Sequence, residues 1–192
     1  MRRLVWLAVV IVSLATFTLI APAGFAQQRP GLGHHVRFDL VGVVQNTVLA
    51  GGEDVGRDVA TGDTVRLTGS GEFKPTAMEA AGGGTFVHRH ANGTEVAHGV
   101  WVVSGFVEWT PAGGFLPPSL TDGIGEVSEA SAGIVTIHVE LKPSGGGTVP
   151  ATLSVDCNIP GAAFPIEEGI TLNVGSLVFE QHGGLTLFHV LH

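Results

Sequence analysis

Four side chains that can ligate a metal crowd a single turn signal. His88, His90, Glu95 and His98 flank Asn92-Gly93, a dipeptide that favours a tight β-hairpin because both turn residues tolerate positive φ. On an extended chain His88 and His90 point to the same face, since side chains alternate. What joins them depends on register. A two-residue loop pairs His90 with Glu95 and His88 with Ala97, which gathers His88, His90 and Glu95. A three-residue loop, Ala91-Asn92-Gly93 with a glycine bulge, pairs His90 with Thr94 and Phe86 with His98, which gathers His88, His90 and His98. Two imidazoles and a carboxylate suit Fe(II), Mn or Zn, and three imidazoles suit Zn or Cu.

Gly82, His88-Arg89-His90 and Glu95 together resemble the first half of the cupin motif, in which a glycine precedes two His and a Glu that hold a metal inside a β-barrel. The resemblance implies that His88, His90 and Glu95 are ligands. The second half of that motif, Pro-x-Gly-x-x-His, does not follow, and His138, His182 and His189 stand at no matching position. The competing reading is structural: the histidines line a solvated or half-buried hairpin face and hydrogen-bond locally. It implies no cofactor at all.

Other chemistry is sparse. No Gly-x-Ser-x-Gly, His-Glu-x-x-His or phosphate-loop pattern occurs. Ser70, between two glycines, reads as a packing position. Asp54, Asp58 and Asp63 match no calcium-loop spacing. Glu167-Glu168 reads as a solvated turn. Trp101 and Trp109, eight apart on one strand, share a face and read as core. Cys157, the single cysteine, sits in an alternating run and reads as a buried, inert thiol.

The elements that must position these residues read as strands. Val36, Phe38 and Leu40 alternate with polar residues in a first strand over 35–49, and Thr64–Phe73 alternates again up to Pro75. Residues 53–63 read as a polar connection. Residues 80–90 and 94–110 form the histidine hairpin, 111–133 a long loop, and 134–141 a clear strand. Further strands follow around Val155 and over 170–174, 177–180 and 185–191. Three Gly-Gly strings, at 83, 146 and 183, read as shared hairpin chemistry. About eight to ten strands with no helical period predict an all-β fold, a single antiparallel β-sandwich or β-barrel domain.

The first 26 residues read as a signal peptide. Arg2 and Arg3 precede an apolar stretch from Leu4 to Ile20, and Gly24 and Ala26 offer small residues for cleavage. The stretch is also long enough to serve as an uncleaved anchor. Residues 27–33 form a linker and 34–192 the all-β domain. The expected location is secreted or extracytoplasmic, with no membrane insertion of the mature domain unless the leader is retained. A net charge of −8, with scattered acids, argues against nucleic acid as a partner; no other partner can be named. The sequence therefore favours a non-catalytic structural or binding domain. A metal-binding cupin-like protein or enzyme and a barrel for a small apolar ligand are the alternatives.

Overall fold

The computed structural model describes residues 35–191. The expected leader of residues 1–26 and the whole linker of residues 27–33 lie outside them. The described chain is all-β, with twelve strands, two single 3₁₀ turns and no α-helix. The strands are β1 (His35–Val44), β2 (Thr47–Ala50), β3 (Glu53–Asp58), β4 (Thr64–Lys74), β5 (Glu79–Arg89) and β6 (Glu95–Gly113). They continue with β7 (Thr121–Asp122), β8 (Ala130–Pro143), β9 (Val149–Cys157), β10 (Gly169–Val174), β11 (Leu177–Gly183) and β12 (Leu185–Leu191).

All twelve belong to one sheet that closes on itself. Going round, β6, β5, β4, β3, β11, β10, β9 and β8 are neighbours, and β8 pairs again with β6. Every ladder is antiparallel except the two-residue β2–β7 pairing. Two long strands are forked. The first half of β4 pairs with β3 while Ser70–Phe73 pairs with β1. Likewise Gly133–Leu141 of β8 pairs with β9 while Ala130 and Ser131 pair with β12. The β1–β12 pair thus bridges β4 and β8 at the end of the ring opposite the histidine hairpin.

The alternating residues of the first strand behave as expected. Val36, Phe38 and Leu40 have no exposed surface. They join an aromatic cluster in which Trp109 lies 4.7 Å from Phe188 and 5.1 Å from Phe73 between ring centroids. Trp101 and Trp109 are both buried, in line with the core reading. The Trp101 indole N–H donates to the Thr68 carbonyl at 2.9 Å, so its polar atom is satisfied inside the wall.

Three sequence expectations are corrected. The first strand breaks at Gln45-Asn46, both at positive φ (49° and 63°), so 35–50 is a tight hairpin of two strands. Residues 53–58, read as connection, are the strand β3. The Gly83-Gly84 string is not a turn. It lies mid-strand, where a Cβ on Gly84 would fall 1.8 Å from the Thr68 carbonyl oxygen, so glycine lets β4 and β5 approach closely. The other two strings do sit at turns, with positive φ at Gly146, Gly147 and Gly184.

Candidate functional site

The histidine hairpin uses parts of both anticipated registers. His90 N–H donates to Thr94 O and Gly93 N–H to His90 O, both at 2.8 Å, and Gly93 has φ +84°. That is the three-residue loop. One residue later the ladder shifts: Arg89 faces Glu95 while His88 faces Ala97. Val96 is the extra residue, and such a bulge returns the strand to the two-residue register.

The consequence is a divided set. His88 lies on the inner face with Phe86. Glu95 and His98 lie on the outer face, opposite Arg89 and Val87. The four candidates therefore do not gather, because a one-residue shift reverses the faces that follow. Among the described residues, no three His, Cys, Asp or Glu side chains are disposed to hold a metal ion.

Inside, a residue absent from the sequence grouping joins the histidines. Asp63 Oδ2 lies 3.2 Å from His88 Nε2 and 3.1 Å from His90 Nδ1, and Oδ1 accepts from the Ala91 N–H at 3.1 Å. Burial opposes ionisation of Asp63. The hydrogen bonds from His90, His88 and Ala91 outweigh it and hold the carboxyl below the usual range. The strand ladder explains the meeting. Asp63 immediately precedes β4, whose Thr64 and Val65 face Arg89 and His88. Sequence distance hid it, since Asp63 lies 25 residues before His88.

His88 is the shielded member, with 17% of its side chain exposed against 56% for His90. Its ring stands edge-on to Phe179, 5.2 Å between centroids at 79°. It also lines an apolar pocket of about 120 Å³ at this end of the ring, with Val65, Phe86, Ala97, Leu172 and Phe179. Asp63 engages one nitrogen of His88; among the described residues the other has no protein partner. No hydroxyl or thiol hydrogen-bonds His88 or His90 among those residues, so this inner cluster lacks an activated nucleophile.

Outside, His98 is held between two partners. Its Nδ1 lies 2.7 Å from Glu95 Oε1, and its Nε2 lies 3.0 Å from Ser144 Oγ. Glu95 is fixed in turn by Arg89, whose Nη2 donates to Oε2 at 3.0 Å.

The remaining candidates have structural settings. His138 is exposed and lies 3.5 Å from the Thr152 hydroxyl; His182 is exposed. His189 is buried against Asp122. Cys157 is buried, its thiol pushed up by burial and by the charge of Glu168, as the inert reading expects. Glu168 is not a solvated turn residue: it is half-buried and accepts from the N–H groups of Asn158 and Thr186. No known protein family, curated protein or solved structure matches this chain.

Proposed function

We propose that this chain is an exported β-barrel that binds a small, mainly apolar molecule carrying one polar group, in the pocket lined by His88. The observation that carries this reading is a single oriented imidazole in an otherwise apolar cavity. A few placed polar groups among apolar walls is what a ligand pocket needs for orientation. The cavity of about 120 Å³ is of ring size, given that an apolar cavity of roughly 150 Å³ takes up benzene. Asp63 holds His88 by Nε2, which leaves Nδ1 for the ligand's polar group.

Phenol and toluene serve as probes of this pocket. Phenol is expected to bind saturably, with a Kd of about 1 mM, and several-fold more tightly than toluene. His88→Ala is expected to reduce phenol to the affinity of toluene. Ala97→Leu, which fills the pocket from the facing strand, is expected to abolish both. Failure of both probes to bind the wild-type protein by calorimetry or NMR titration would sink the reading.

The export half of the proposal rests on Arg2-Arg3, the apolar stretch and the small residues at 24 and 26. Expressed with its own leader in a bacterial host, the protein is expected outside the cytoplasm with Gln27 as its N-terminal residue. N-terminal sequencing that finds the leader intact would instead indicate an anchor.

A further inference from the structure

We propose that Ser144, His98 and Glu95 form a second, catalytic site that hydrolyses small esters through an acyl-serine intermediate. The site is separate from the His88 pocket, and its test does not depend on that reading.

The geometry carries the assignment. A serine nucleophile needs a base in hydrogen-bond reach, and the base needs a third group to fix its tautomer and orientation. Here Ser144 Oγ is 3.0 Å from His98 Nε2, and Glu95 Oε1 is 2.7 Å from His98 Nδ1. Each nitrogen has one partner: Nδ1 donates to the carboxylate, and Nε2 is left bare to accept the serine proton. The arrangement is braced from both sides. Arg89 holds Glu95 Oε2 and the Gly93 carbonyl, and the Ser144 N–H donates to the His98 carbonyl at 2.9 Å. The backbone of the nucleophile is therefore tied to the backbone of its base.

The surroundings leave room for a substrate. Ser144 opens the turn Ser144-Gly145-Gly146-Gly147 between β8 and β9. A Cβ built on any of the three glycines would meet nothing within 4 Å. Gly146 N–H is used by Pro143 O, whereas Gly145 N–H has no backbone acceptor among the described residues. The N–H that follows a nucleophile is a recurrent oxyanion donor, and Gly145 supplies one here. Ser144, His98 and Glu95 all reach solvent. With so little water excluded, the substrate class is small esters with good leaving groups.

The steps balance without a cofactor. Ser144 Oγ bonds to the ester carbonyl carbon as its proton passes to His98 Nε2. The bond from that carbon to the alkoxy oxygen breaks, and His98 returns the proton to the departing oxygen. Water then attacks the acyl-serine, losing its proton to His98, and His98 restores the Ser144 hydroxyl as the acid leaves. Glu95 keeps Nδ1 protonated throughout and stabilises the imidazolium.

p-Nitrophenyl acetate is the probe, with two readouts on the full exported domain: nitrophenolate release and mass spectrometry of the Ser144 peptide. Expected are slow turnover and an acetyl group on Ser144 after rapid acid quench. Ser144→Ala is expected to lose the adduct and at least about tenfold in rate, His98→Gln a comparable amount, and Glu95→Gln less, about threefold to tenfold. All three positions are exposed, so folding is retained, checked by unchanged circular dichroism. Hydrolysis at the wild-type rate by Ser144→Ala, or quenched protein without acetyl on Ser144, would overturn the proposal, because a lone surface histidine would then account for any rate.

Discussion

Asp122→Ala is expected to destabilise the domain by about 3–5 kcal/mol, the cost of stripping one partner from a buried polar pair. By the usual scaling that lowers Tm by roughly 10 °C. Asp122 Oδ2 lies 2.8 Å from His189 Nε2, and the two side chains have 0% and 1% of their surface exposed. The other oxygen, Oδ1, accepts from the N–H groups of Ile124 and Gly125. Burial works against the Asp122 charge, but these donors and His189 hold its carboxyl below the usual range. Among the described residues His189 Nδ1 already has no partner, so losing Asp122 leaves the whole ring unpaired inside the protein. The pair also fixes a long connection: Thr121–Asp122 pairs with β2, and Gly125 packs against the His189 ring so closely that a Cβ would lie 2.7 Å from Cδ2. Asp122→Asn, which keeps an acceptor, is expected to cost only about 1–2 kcal/mol. Urea titration of both variants checks the ordering; equal stability of wild type and Asp122→Ala would refute it. Because the Asp122 pKa is depressed, its contribution is present above the ordinary Asp value and is lost as pH falls below about 4.

That pair also shows where sequence reading stops. Alternation was enough to place Val36, Phe38 and Leu40 inside, to put Trp101 and Trp109 in the core, and to find the strands that carry the histidines. Those facts are local, since side chains two apart share a face whatever the partner strand is. The closing of the ring is not local. Nothing in β4 or β8 announces that each is shared between two neighbours. The partners of the histidines were hidden for the same reason. Asp122 is 67 residues from His189, and Ser144 is 46 from His98. A faint signal existed in β12, where an imidazole sits in the apolar run Leu187-Phe188-His189-Val190 and a buried polar group calls for a partner. The Val96 bulge left no such trace. Both loop lengths for the Asn92-Gly93 turn were legible; that the chain would take one and then revert to the other within three residues was not. The difference decides the chemistry, because it separates His88 from His98 and so turns one candidate metal site into two unlike clusters.

Asp54→Asn is expected to raise stability at pH 8, in the opposite direction to most core substitutions. Asp54 has no exposed surface, and among the described residues no donor is in good hydrogen-bond geometry with either carboxylate oxygen. It sits against Gly184, where a Cβ would fall 1.5 Å from Oδ1, so the backbone of the β11–β12 turn seals it from water. Burial, and then the charge of Glu168, push its pKa up to about 7, and the nearby Leu185 N–H offsets this only in part. The sign follows from proton counting. Between the unfolded value near 4 and the folded value near 7, the folded protein binds the extra proton, so stability falls as pH rises across that window. The shift corresponds to a loss on the order of 4 kcal/mol by pH 8. Asp156 and Glu168 are pushed up as well, each chiefly by burial, and they add to the same slope. An amide at position 54 cannot ionise, so the variant should match wild type near pH 4 and melt about 10 °C higher at pH 8. Melting curves from pH 4 to 8 test this: a wild-type Tm that is flat or rising across the window would mean that Asp54 keeps its charge in the fold at no cost.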